Sequence, residues 1–68
     1  MMKVKISMQD EIGLEYWEDG AIDIDEAIAF VAIDDPKGTV VFFKSGKELV
    51  VKKKLKDLVR ERIYGSCM

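Results

Sequence analysis

Residues 39–63, TVVFFKSGKELVVKKKLKDLVRERI, decide the fold of this chain. Residues 39–44 are mostly β-branched and aromatic, which is typical of a strand. Ser45 and Gly46 offer a tight connection, and residues 47–51 predict a second strand that returns alongside the first. This part of the chain therefore predicts a β-hairpin that runs directly into a helix.

The end of the same stretch has the periodicity of an amphipathic helix. Its apolar residues recur at spacings of three and four, and they predict a helix from about Lys53 to Tyr64. Gly65 follows where a helix C-cap is favoured. Because an isolated helix of this length would be marginal, its apolar stripe is expected to pack on a sheet. The stripe consists of Leu55, Leu58, Val59 and Ile63.

A first hairpin is predicted near the N-terminus. Residues 3–8 alternate between polar and apolar side chains, as in a half-buried strand. A turn at Gln9 and Asp10 leads to a second alternating segment, residues 12–17. The sequence Glu-Asp-Gly at residues 18–20 has the turn chemistry to end that strand.

The stretch from Asp23 to Ala32 fits two structures. Asp23 or Asp25 could cap a helix, and alanine favours one. The apolar residues that follow run into Asp-Asp-Pro-Lys-Gly, a good type I turn sequence, which favours a strand instead. We therefore expect a short turn at residues 23–26 and a strand from about residue 27 to residue 34.

These elements predict one α+β domain over residues 1–68. It would hold a small antiparallel sheet of two hairpins, with four or five strands, and one C-terminal amphipathic helix. A chain of 68 residues has room for one small core. The longest apolar run, residues 27–33, is far too short to span a membrane. Cys67 is the one cysteine, which argues against a disulfide-stapled secreted protein and favours the cytoplasm.

The sequence predicts no catalytic site, no metal site and no cofactor. It contains no histidine, so the usual general base near neutral pH is absent and a zinc site cannot be assembled with one cysteine. The acidic run at residues 18–26 lacks the ligand spacing of an EF-hand. We therefore expect a protein that is not an enzyme.

The charge is strongly separated along the chain. Residues 1–35 hold two lysines and ten acidic residues, a net charge of −8, whereas residues 36–68 have a net charge of +6. Two solvated faces that attract each other would explain this pattern, and so would a patch that steers a partner. The first hairpin would bring Lys3 and Lys5 near Glu15.

Residues 23–63 resemble the small bacterial flagellar proteins of the FlbD and SwrD type and, more remotely, the strand core of LytTR-type DNA-binding domains. The shared pattern is an Asp-containing lead into an apolar strand, a turn, a second apolar strand, and Gly46-Lys47 with Val50-Val51 running into a helix. The first hairpin is longer and more acidic than in that family, and residues 52–54 are lysines where the family starts its helix with acidic or hydroxyl residues. The resemblance implies a small cytoplasmic non-enzyme of bacterial type. A bacteriophage protein of the host cytoplasm fits equally well.

Two sets of residues are candidates for binding a partner. The acidic end of the first hairpin includes Trp17, which either packs in the core or anchors an interface. We expect it to bind another protein that has a basic surface, as an inhibitor or modulator. The alternative is a nucleic-acid-binding accessory protein that uses the basic helix. The acidic set is Glu15, Trp17, Glu18, Asp19 and Asp23, and the basic set is Lys52, Lys53, Lys56 and Arg60.

The predicted strand through Phe42 and Phe43 is apolar on both faces. Neighbouring residues of a strand point to opposite faces of the sheet, so only one of these rings can enter the core under the helix. Such strands indicate that both faces are covered, the second one by another layer or a second subunit. A homodimer fits this pattern.

Overall fold

Residues 1–34 and 37–64 are described by a computed structural model of the chain. Within these residues, five strands form one antiparallel sheet, in the order β2-β1-β5-β4-β3, so that β2 and β3 are its edges. A short 3₁₀ helix links β2 to β3, and one α-helix follows β5. This confirms the predicted α+β class. The elements are β1 (Met2–Gln9), β2 (Glu15–Ile22), the 3₁₀ helix (Ile24–Glu26), β3 (Ala27–Asp34), β4 (Lys37–Phe43), β5 (Glu48–Val51) and α1 (Leu55–Tyr64).

The hydrophobic core lies between α1 and one face of the sheet. Leu58 is the buried residue of α1, and it shares a cluster with Val41 and Val51, all three having no exposed surface (0 %). Val41 lies on β4 and Val51 on β5, the two strands of the second hairpin. Burial of these branched side chains supplies the main driving force for folding. The cluster is completed by Val4, Ile22 and Ala27.

The predicted apolar stripe of α1 is only partly docked. Leu55 and Val59 remain 37 % and 38 % exposed, and Ile63 is 55 % exposed. The reason is the position of α1, which contacts the edge strand β3 and the 3₁₀ helix and so has the sheet under one side only. The C-terminal end of α1 is tied to the 3₁₀ helix by Arg62, whose Nη1 lies 3.7 Å from Asp25 Oδ1.

The first hairpin is longer than predicted, and its turn lies elsewhere. Residues 18–20 do not end β2 but lie inside it. The connection is made by residues 10–14, where Asp10 Oδ1 accepts hydrogen bonds from the backbone N–H groups of Ile12 (3.0 Å) and Leu14 (2.9 Å). By satisfying these donors, Asp10 holds a wider loop than the predicted two-residue turn.

The wider loop also sets a different register. Lys5 faces Asp19, while Glu15 faces Gln9 at the far end of the hairpin. The expected proximity of Lys3 and Lys5 to Glu15 is therefore wrong. Gly20 lies inside β2, and a Cβ atom there would lie 2.6 Å from Ile6 Cδ1, the end of a flexible side chain that would have to move.

The second half of the chain follows the prediction closely. Asp23 caps the 3₁₀ helix by accepting a hydrogen bond from the Asp25 N–H (3.1 Å), and β3 then runs over the predicted residues 27–34. The predicted hairpin turn at Gly46 is confirmed, with a positive φ of 92° that favours glycine. The turn at Asp35-Pro36 and the cap at Gly65 lie outside the described residues.

The helix begins two residues later than predicted. The backbone carbonyl oxygen of Lys54 accepts hydrogen bonds from the N–H groups of Asp57 (3.0 Å) and Leu58 (3.2 Å), which marks the first turn of α1. Residues 52–54 therefore connect β5 to the helix and are not part of it. Within the described ranges, no helix is long and apolar enough to cross a membrane.

Candidate binding surfaces

The end of the first hairpin extends beyond the core. β1 pairs with β2 along eight residues, but its other edge pairs with β5 only at Ile6 and Val51. Every residue from position 8 to position 16 is exposed. The chain is accordingly elongated, with principal extents of 42 × 22 × 20 Å. We call residues 8–18 the arm.

The arm exposes large apolar side chains. Ile12 is 80 % exposed and Leu14 62 %, both in the loop at the tip. Met8 and Tyr16 face each other across the two strands and are both 43 % exposed. They lie on the same face of the sheet as the core, but at the far end of the hairpin. The core therefore does not account for these four side chains.

Acidic residues neighbour these apolar residues along the arm, on both faces of the hairpin. The carboxylate of Asp10 is engaged by the loop backbone. Among the described residues, the side chains of Glu11, Glu15 and Glu18 have neither a hydrogen bond nor an ion pair. The arm thus carries free negative charge next to exposed apolar surface.

The predicted acidic set is not gathered on one surface. Glu15, Trp17 and Asp19 alternate along one face of β2, and Glu18 lies on the other face. Asp23 follows the last residue of β2, so the whole length of the strand separates it from Glu15, the first residue. It serves as the cap of the 3₁₀ helix.

The carboxylate of Asp19 forms an ion pair with Lys5. Its Oδ1 accepts a hydrogen bond from Lys5 Nζ at 2.5 Å, on the face of the sheet away from the core. The hydrogen bond and charge of Asp19 raise the pKa of Lys5 above its ordinary value of 10.5. Asp19 is therefore partly neutralised, and the free charge of the predicted set lies at Glu15 and Glu18.

Trp17 lies half-buried on the face of the sheet opposite α1. Lys52 Nζ is 5.8 Å from the centroid of its rings. At this separation the ammonium group makes a cation–π contact with the indole. A Cβ atom on Gly38 would lie 3.6 Å from Trp17 Cη2, so the indole reaches towards β4. Trp17 therefore joins the ends of several strands on that face and does not pack under the helix.

The predicted basic set is divided between two surfaces. Lys52 and Lys53 line a groove of about 870 Å³, together with Lys3 and Lys5 of β1. Lys56 and Arg60 are exposed one turn apart on α1. The two lysines of β1 were not predicted to join this groove. The alternation of residues 3–8 shows on which face of the strand they lie, but it does not show which strand lies beside them.

The apolar arm was also missed from the sequence. Alternating apolar residues were taken to face the core, but alternation does not distinguish a covered face from a bare one. A signal existed in the lengths of the strands. β1 and β2 have eight residues each, whereas β5 has four and cannot cover the whole hairpin.

No described group of three or more His, Cys, Asp or Glu residues is placed to hold a metal ion. Comparison of the chain with protein-family models, with curated proteins and with solved structures finds no match. The resemblance of residues 23–63 to the FlbD and SwrD type of flagellar protein therefore stays a prediction.

Proposed function

We propose that this chain is a non-catalytic protein-interaction module that binds a basic partner protein through the arm. The observation that supports the proposal most directly is the exposure of Ile12 (80 %) and Leu14 (62 %) at the tip. Large apolar side chains that cluster on a surface and are rimmed by polar groups commonly mark a binding site. Packing of the core does not require large apolar side chains at the tip of the arm.

The acidic rim suggests the character of the partner. The free carboxylates of Glu11, Glu15 and Glu18 would attract a basic surface and raise the rate of encounter. The apolar tip would then supply the contact that slows dissociation. An acidic arm of this kind could occupy a site on the partner that otherwise binds nucleic acid, and the module would then act as an inhibitor or modulator. We place it in the cytoplasm of a bacterium, or in the host cytoplasm if a bacteriophage encodes it.

The proposal is tested by capture from a bacterial lysate at low and high salt. The immobilised chain is compared with the arm variant Glu11→Lys/Glu18→Lys and with the control Glu26→Lys/Glu61→Lys, which changes the net charge equally at exposed sites off the arm. We expect the wild type and the control to retain the same basic protein and the arm variant to lose it. Equal capture by all three would contradict the proposal.

A second candidate function is binding of nucleic acid, which the basic groove favours. Lys3, Lys5, Lys52 and Lys53 line one groove, and Asp19 is the one acidic residue among the lining residues. The indole of Trp17 lies beside Lys52 and has a π face on which a base could stack. The groove thus offers phosphate contacts next to an aromatic ring.

Two matched variants test whether the groove or the helix would bind the nucleic acid. Lys52→Gln/Lys53→Gln removes two charges from the groove, and Lys56→Gln/Arg60→Gln removes two from α1. If the groove binds single-stranded DNA, the first variant should reduce a low-salt gel shift at least about tenfold and the second should not, and added salt should weaken binding steeply. The absence of any shift with the wild type would exclude this function.

A further inference from the structure

The face of the sheet away from α1, which we call the outer face, is apolar across its centre. Residues paired directly across antiparallel strands share a face, so the register places Val50, Val40 and Val31 in one row. Ser7 and Trp17 continue the row on β1 and β2. Val31 is 48 % exposed, and the next row adds Phe42. The helix and the core lie on the opposite face.

Charges of opposite sign flank this central row. On one side, Glu48 shares a row with Phe42. On the other side, Lys52 directly follows β5, with its Nζ 5.8 Å from the ring centroid of Trp17. On that side β4 carries Gly38, where a Cβ atom would clash with the carbonyl oxygen of Val51 and lie 3.6 Å from Trp17 Cη2. The outer face is therefore acidic on the flank of Glu48 and Glu15, and its other flank carries Lys52 and the Lys5–Asp19 pair.

We propose that a second copy of this chain covers the outer face, sheet against sheet, about a two-fold axis that runs across the strands. This axis lays the central row of each copy on its equivalent. It also places Glu48 of one copy opposite Lys52 of the other, and Glu15 opposite Asp19, whose charge is partly neutralised by Lys5.

A two-fold axis parallel to the strands would also stack the two sheets face to face, but the charges favour the axis that runs across the strands. An axis parallel to the strands and centred on β5 would place Glu48 opposite Glu48 and Lys52 opposite Lys52, and like charges across an interface are strongly unfavourable. Rotation about the selected axis keeps the strands of the two sheets nearly aligned, as in β-sandwiches. The two apolar rows then lie against each other, and Glu48 and Lys52 form pairs of opposite charge at two symmetry-related places.

The outer face is large enough for such an interface. Five strands at ~4.8 Å spacing and three rows of side chains at ~6.8 Å spacing span about 24 × 20 Å. Two such faces would bury about 1,000 Å², which is the lower limit for a specific protein interface. A dimer that dissociates upon dilution is therefore expected.

The test is sedimentation equilibrium of the whole chain over a range of concentrations. The wild type should show a monomer–dimer equilibrium. Glu48→Lys and Lys52→Glu should each raise the dimer dissociation constant at least tenfold, because each creates like charges at two symmetry-related places. The double variant Glu48→Lys/Lys52→Glu should restore it to within about threefold of the wild type. Glu61→Lys, on α1, is the control and should leave it unchanged.

Three results would overturn the proposal. The first is a wild type that stays monomeric at all concentrations. The second is a dimer that Glu48→Lys does not weaken, which would place the interface elsewhere. The third is a double variant that remains as weak as the single ones. Glu48 is exposed and has no side-chain partner among the described residues, so its reversal is not expected to disturb folding. The arm variants should dimerise normally, which separates this proposal from the arm's function.

Discussion

Thr39 Oγ1 donates a hydrogen bond of 2.7 Å to the backbone carbonyl oxygen of Lys53, and Thr39 has no exposed surface (0 %). This bond fixes the connection between β5 and α1 to the centre of β4. It satisfies a carbonyl group that is not used by the sheet or by the first turn of the helix. The bond therefore helps to hold the start of α1 over the core, together with the packing of Leu58 and the Arg62–Asp25 ion pair.

Replacing Thr39 tests its role in stability. Thr39→Val keeps the shape but leaves the Lys53 carbonyl without its partner, which should cost about 1–3 kcal/mol in the free energy of unfolding. Thr39→Ser keeps the hydroxyl group and should cost only about 1 kcal/mol, for the lost methyl group. Urea unfolding measures both. A valine variant as stable as the wild type would show that the bond does not hold the connection.

The docking of α1 is tested by Leu58→Ala. Leu58 is completely buried, so truncation should lower the free energy of unfolding by about 2–5 kcal/mol. Val59, at the neighbouring position of the same helix, is 38 % exposed. Val59→Ala should therefore cost less, about 1 kcal/mol or under. Thermal melts of the two variants provide the comparison, and equal, small shifts would mean that the helix is not docked through Leu58.

The Lys5–Asp19 pair should make a small, pH-dependent contribution to stability. Because the folded state raises the pKa of Lys5, this contribution is complete below the ordinary lysine pKa of 10.5 and is lost as pH rises through the raised value. The melting temperature of Asp19→Asn should therefore approach that of the wild type once the pH exceeds the raised pKa of Lys5. Glu11→Gln, which removes an unpaired acid, is the control. A difference between Asp19→Asn and the wild type that persists unchanged at high pH would contradict the assignment.

The strands of the second hairpin could be predicted because their local signals agree. β-branched and aromatic residues favour the strands, and Gly46 supplies the positive φ that the turn requires. The helix could be predicted from its periodicity, but the partial exposure of Val59 and Ile63 could not. Exposure depends on how far the sheet extends under α1, and strand order is not visible in the spacing of apolar residues.

The register of the first hairpin could not be predicted for a different reason. It depends on the hydrogen bonds from the Ile12 and Leu14 N–H groups to Asp10, which widen the loop. A change in register gives each side chain a new cross-strand neighbour. Lys5 is consequently matched with Asp19 and not with Glu15, and the predicted acidic surface is divided.

The central claim is that the arm binds a protein partner through its apolar tip, and the most direct measurement compares two identical substitutions. Ile12→Ser changes the tip, where Ile12 is 80 % exposed, and Ile28→Ser changes β3, where Ile28 is 65 % exposed. Neither should alter the melting temperature much, since neither side chain is buried. With the captured partner, Ile12→Ser should raise the dissociation constant at least about tenfold, as loss of an interface anchor does, while Ile28→Ser should leave it unchanged. Equal affinities for both variants would contradict the account.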